Sequence, residues 1–363
     1  MSAQKNTGNS NNIFNDIANL QFKKDIKNEY RELKNFYLND EKKDKLKNMG
    51  KFKQFFFQVV YLFSSIFQKL TPFRKFLVFL GLLLLFISNN VNVNNQSYGS
   101  NNAFWGGLII FFVLVLELKD KLLAVEELVA GRKIQKALMP EECPGIDGWD
   151  VFLFTTSANE VSGDLVDYLK INEEKTSITI ADVAGKGLSA ALLTAKLQAT
   201  VRAFADTASS PAELTSKTNH IFNRDSLPNL FASMIYLEIS PNSNEIKFTN
   251  AGHFPPLVIK DKEIKEFEKG GAALGLIANA QYIEQTTILE QNEFFVAYSD
   301  GVTEAMNEIG DFFGKERLFK LIKNSSKNSS QQLGKLILAH LEQFKGDYPM
   351  SDDISIIILK RKL

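Results

Sequence analysis

Four aspartates offer the most specific chemistry in this 363-residue chain: Asp164 in VSGDLVD, Asp182 in ITIADVAGKG, Asp300 in FFVAYSDG and Asp352 in SDDISIII. Each stands where an apolar, strand-like run begins or ends. Taken singly, any of them reads as a turn residue or a helix N-cap. Jointly they read differently. Strand ends at one edge of a sheet sandwich can gather distant carboxylates, whereas scattered surface acids have no reason to follow apolar strands. Hard divalent cations take oxygen ligands, so an all-carboxylate set favours Mg2+ or Mn2+ over Zn2+. With three histidines and the single Cys143, the chain lacks the residues for an intramolecular disulfide or a thiolate or clustered-imidazole zinc site.

The elements that must position these acids lie in residues 140–363, where short β-rich runs alternate with turns and a few helices, as in an α/β (α+β) domain. WDVFLFTTSA, DLVDYLKI, TSITIADV, FASMIYLEI, EIKFTNAG, EFFVAYSD and DISIIILK read as strands. Helical texture covers 188–206, 212–223, 315–323 and 330–344. Strict alternation and turns such as SPNSNE favour antiparallel sheets with helices outside over a Rossmann sheet. After Asp182, Gly185 and Gly187 allow a tight backbone turn, and GLSAALLTA starts a helix whose small residues pack close to a sheet. DVAGKG could also be the ATP loop of a histidine-kinase-type ATPase, but no partnering asparagine helix lies upstream and no G-x-x-x-x-G-K-[ST] loop occurs elsewhere.

VSGDLVDYLKI, ITIADVAGKGLSAALLTA, FASMIYLEI, FTNAGHFPPLVI, AALGLI, FFVAYSDGVTEA and DDISIIIL, in that order, resemble the SpoIIE/RsbU family of bacterial PPM-type serine/threonine phosphatases. The resemblance runs from about Glu127 to the C-terminus. It implies an αββα sandwich with two Mn2+ or Mg2+ ions between the sheets. Asp182 would bridge both ions, and the Val183 carbonyl would complete one coordination sphere. Asp300 and Asp352 would hold the first ion and Asp164 would support the second, with Asp353 the weaker ligand candidate of its pair. The implied chemistry is in-line attack of an activated water on phosphoserine or phosphothreonine without a phosphoenzyme. DVAG lacks the histidine that eukaryotic relatives carry after the bridging aspartate, so leaving-group protonation is unassigned. Lys186 is placed either to contact phosphate or simply to face solvent. His253 in NAGHFPP reads as a loop-shaping residue, and it, Asp167 and Asn250 receive no catalytic role. The implied substrate is a STAS-domain anti-sigma-factor antagonist or a comparable regulator. The competing reading is a non-catalytic membrane scaffold with a decayed phosphatase domain.

Upstream, residues 1–12 read as a disordered tail, and Phe22, Ile26, Tyr30, Leu33 and Tyr37 form a helical stripe. Residues 1–71 thus form a tail and amphipathic helices. Lysines in 41–53 lead into the phenylalanine-rich 55–67 segment, read as a helix in the membrane interface touching lipid, or else as a third span. Residues 76–116 hold no charge, which predicts a two-span transmembrane hairpin over 72–118, with NNVNVNNQSYGSNN as the outer loop. Arg74, Lys75, Lys119 and Lys121 place both ends in the cytoplasm, giving a multi-pass protein of the cytoplasmic membrane with a cytoplasmic phosphatase domain. The competing reading is a buried soluble hairpin. Over 119–139 a linker helix follows, and Val115, Leu118, Leu122, Val125 and Val129 make a short heptad seam that would pair two copies. Lys plus Arg equals Asp plus Glu at 42 each, which gives no charge argument for nucleic acid.

Overall fold

The computed structural model describes residues 49–87, 90–93, 96–99, 102–225, 230–260, 263–325 and 328–362. The tail and the helical stripe expected over 22–37 lie outside these residues. The chain divides into two compact units, Met1–Lys121 and Leu122–Leu363.

In the first unit, α1 spans Lys51–Lys69 and α2 spans Pro72–Phe86, while α3, Asn102–Leu138, begins there. Thr71 caps α2 by accepting a hydrogen bond from the Arg74 amide at 3.4 Å, and Pro72 occupies the first turn, where its missing N–H costs nothing. Gly81 of α2 and Gly106 of α3 bring the two backbones close, since a Cβ on Gly106 would lie 2.5 Å from the Gly81 carbonyl oxygen. Arg74 clamps the pair with ion pairs of 2.6 Å to Glu117 and Asp120. The asparagine-rich connection forms β1 (Asn90–Val93) and β2 (Gln96–Gly99), an antiparallel hairpin.

The transmembrane hairpin expected over 72–118 is not supported: no helix among the described residues is long and apolar enough to cross a membrane. The physical reason lies in the lengths. With 15 residues, α2 rises about 22 Å, against about 30 Å of bilayer hydrocarbon. The apolar part of α3 ends at Leu116, and Glu117, Lys119, Asp120 and Lys121 follow within the same helix. As for the third-span alternative, α1 is interrupted by Gln54, Gln58, Ser65 and Gln68. The three helices nevertheless expose Phe55, Phe56, Phe63, Phe76, Phe79, Phe86, Phe104 and Phe111.

The second unit is a four-layer α+β sandwich of two five-stranded antiparallel sheets. One sheet has the order β10-β7-β6-β5-β4 and the other β3-β12-β11-β8-β9. The strands are β3 Trp149–Thr156, β4 Asp164–Lys170, β5 Thr176–Val183, β6 Ala232–Ile239, β7 Glu245–Ala251, β8 Leu257–Lys260, β9 Glu263–Glu266, β10 Glu284–Ile288, β11 Phe294–Tyr298 and β12 Ile354–Arg361. Helices α4 (Leu188–Phe204) and α5 (Pro211–Asp225) cover the first sheet. The short α6 (Asp300–Thr303) with α7 (Gly314–Lys323) and α8 (Ser330–Lys345) covers the second.

Three buried layers explain the strand composition. In β5, Ile178 and Ile180 enter the core between the sheets, whereas Ala181 and Val183 pack beneath α4 and α5. Central strands buried on both faces therefore read as continuous apolar runs. In β12, Ile357 and Leu359 face the other sheet while Ile356 and Ile358 face the helices. Phe248 and Phe295 meet edge to face at 5.4 Å between the sheets, each contributing roughly 1.5–3 kcal/mol by burial. A capping box of Ser329 and Gln332 fixes the start of α8. Strands β8, β9 and β10, at or near sheet edges, are short or polar and went unseen in the sequence.

Candidate active site

Two strand pairs deliver the four aspartates. Asp164 opens β4 and Asp182 lies near the end of β5, and the two are register partners; Asp182 is also opposite Ser233 of β6. Side chains alternate along a strand, so Asp182 shares the face of Ile178 and Ile180 and Asp164 that of Val166, both directed between the sheets. From the second sheet, Asp300 follows β11 and Asp352 precedes β12. Those strands are antiparallel neighbours, closed at this end by the Ser299 amide donating to the Ser355 carbonyl at 3.0 Å. A Cβ on Gly301 would overlap the Asp353 carbonyl, so glycine is required for this close approach.

The carboxyls feel one another. Burial, and then the charges of Asp300, Asp352 and Asp353, push Asp182 up to about 6, with Lys186 opposing. Asp164 is raised well above the carboxylate range, first by burial and then by Asp182, while the Ser355 and Ser299 hydroxyls pull it down. Asp300 is raised by burial and by Asp352. The Oδ2 atom of Asp164 is buried without a hydrogen-bond partner. Unpaired, crowded acids of this kind are costly unless they are protonated or meet a cation, so the donor set fits hard divalent ions. Among the described residues, no group of three or more His, Cys, Asp or Glu side chains encloses a common ion position. The acids thus meet at one end of the two sheets without being pre-arranged round a single ion, and water would complete the ligand set of any Mg2+ held there.

Asp353 has a different task from its neighbour. Its Oδ1 accepts from the Ala158 amide at 2.8 Å, and its Oδ2 from the Ser162 hydroxyl at 2.8 Å and the Gly163 amide at 2.7 Å. It therefore shapes the 157–164 loop that presents Asp164. Lys186, on the turn where Gly185 and Gly187 adopt positive φ of 111° and 73°, donates to Asp352 Oδ2 at 3.2 Å and to the Ser351 carbonyl at 3.1 Å.

Three further features surround the site. The Gln135 amide, on α3, both donates to the Ser162 carbonyl and accepts from the Ser162 amide, each at 3.0 Å. Asp167 is held by Arg202 at 2.7 and 2.8 Å and by Gln198 at 3.0 Å, and Gln198 also donates to the Leu138 carbonyl. Buried His253 sits in a turn closed by Asn250, with Nδ1 at 2.6 Å from the Ser233 hydroxyl. Burial lowers its pKa to about 4, so it stays neutral.

The sequence profile described as Stage II sporulation protein E (SpoIIE) matches residues 172–362. Phosphoserine phosphatase RsbU of Bacillus subtilis is 28% identical over 239 residues, 65% of this chain and 70% of that protein. Phosphoserine phosphatase RsbP of the same organism is 28% identical over 247 residues, 67% of this chain and 59% of that protein. Among solved structures, the SiaA-PP2C domain of Pseudomonas aeruginosa superposes with a TM-score of 0.58 at 20% identity, covering 67% of this chain and 99% of that one. The PP2C phosphatase domain of Bacillus subtilis SpoIIE, with a fragment of its regulatory domain, gives 0.51 at 15% identity, covering 58% and 63%. These likenesses establish the PP2C fold.

Proposed function

The chain belongs to the SpoIIE family, and on that premise we propose that it is a metal-dependent phosphatase acting on a phosphoserine or phosphothreonine protein. The observation that carries the reading is the convergence of buried Asp164 and part-buried Asp182 with Asp300 and Asp352 from the opposite sheet, close enough for their charges to act on one another. Asp164, Asp182, Asp300, Asp352 and the Val183 carbonyl would hold two Mn2+ or Mg2+ ions. When bound, these would supply the charge that acidifies a water and stabilises the developing phosphoryl charge. The chain's own residues do the positioning. Asp353 fixes the loop beneath Asp164, and the strand register fixes Asp164 against Asp182. Lys186 neutralises Asp352 and stands where it could turn to a phosphate oxygen.

The chain's likeness to the phosphoserine phosphatases RsbU and RsbP supports a phosphoserine substrate, and the family resemblance extends this to a STAS-type regulator. The exposed phenylalanines of α1, α2 and α3 support association with lipid at the inner face of the cytoplasmic membrane. The exposed stripe of Val115, Leu118, Leu122 and Val125 supports pairing of two copies. A decayed scaffold is the weaker reading, since the chain keeps all four expected aspartates. Phosphate release from a phosphoserine protein in Mn2+, against the same reaction in EDTA, tests the proposal. Release only with Mn2+ is expected, and equal rates or none would reject it.

A further inference from the structure

Beside the aspartates lies a cleft of about 600 Å³, walled by α3 through Leu128 and Arg132, by the 157–161 loop, and by Lys186 and Gly187. It adjoins the aspartate cluster through the last two of these walls. Lys186 bonds Asp352, and the loop hangs from Asp353 through Ala158. The α3 wall is fixed in place. Gly131 packs beside Val161, and one turn on Gln135 grips Ser162 through both its amide and its carbonyl.

Arg132 is the cation of that wall. Its half-exposed guanidinium stands 4.0 Å from Glu160, too far for a hydrogen bond. Its planar set of donors is therefore open to a carboxylate, which guanidinium recognises with two parallel hydrogen bonds. Resting on the phosphatase reading, we infer that this cleft receives the polypeptide flanking the phosphoserine and that Arg132 selects an acidic residue near it. The linker helix is thus part of the substrate-binding surface, and Glu160 is an internal competitor for the same guanidinium.

The test uses the full chain with Mn2+ and phosphoserine peptides in which one glutamate, or glutamine as its control, occupies each of the three positions on either side of the phosphoserine. At one position kcat/KM should favour glutamate by about tenfold. Arg132→Gln should bring that ratio to about one, and Glu160→Gln should raise it, a gain that misfolding cannot mimic. A wild-type ratio near one at every position, or a preference that Arg132→Gln leaves intact, would overturn the inference while the phosphatase reading stood. Failure of the wild-type protein to hydrolyse even p-nitrophenyl phosphate would overturn both.

Discussion

Asp164 and Asp182 stand directly opposite each other on neighbouring antiparallel strands, a like-charge pair at a place where a sheet ordinarily matches opposite charges. Their pairing is the point at which the fold and the proposed chemistry meet. Burial holds both above the usual carboxylate range, aided at Asp164 by the charge of Asp182 and at Asp182 by the charges of Asp300, Asp352 and Asp353.

Asp182→Asn keeps the shape and removes the shared charge. It should lower metal-dependent turnover by at least about a thousandfold if the ions supply most of the electrostatic stabilisation. Steady-state kinetics on a phosphoserine protein checks this. At the same time, circular dichroism should show an unchanged fold.

The pH dependence in EDTA has two opposed parts. Asp182, raised from 3.8 to about 6, binds more protons folded than unfolded, so its contribution favours the fold at low pH and is lost as pH rises through about 6. His253, lowered from 6.5 to about 4, binds fewer protons folded, so its contribution is present above 6.5 and lost as pH falls toward 4. Asp182→Asn should therefore stabilise the chelated protein at pH 7 by on the order of 2 kcal/mol, after discounting for partial exposure, and by little near pH 4. Urea unfolding of both proteins at the two pH values measures the difference.

Asp353→Ala strands the Ala158 and Gly163 amides and the Ser162 hydroxyl. The expected loss is about 3 kcal/mol, since a buried charged acceptor is removed from several donors. Ser162→Ala removes one of those bonds and should cost about 1 kcal/mol. Equal effects in chemical denaturation would show that Asp353 does not organise the loop.

Gln135→Glu retains an acceptor for the Ser162 amide but cannot donate to its carbonyl, whereas Gln135→Ala loses both contacts. Both variants should loosen the 157–164 loop, which proteolysis and amide exchange would detect, with the alanine change the larger. Turnover should fall because Asp164 follows that loop directly.

Much of this site was legible because its aspartates terminate strands with unmistakable apolar runs: ITIAD and FFVAYSD keep both strand faces buried. The division of labour between Asp352 and Asp353 was less visible, since adjacent identical residues differ only in which donors the fold brings to them. Gln135 had no signal at all, because its partner Ser162 is contributed by a different element. Strand β10, EQTTI, carries too little apolar content to announce itself. The membrane hairpin was over-read for a physical reason. Absence of charge over 76–116 set the expectation, yet the asparagine-rich connection, which pairs with itself as β1 and β2, leaves an apolar stretch on either side too short to cross a bilayer.

The most direct test of a shared site for hard cations is calorimetric titration of Mn2+ into the full chain, paired with phosphate release from the same samples. Two ions per chain with activity, and loss of both ion binding and turnover in Asp182→Asn, are predicted. Activity that survives in Asp182→Asn, or Mn2+ binding indifferent to that change, would contradict the account.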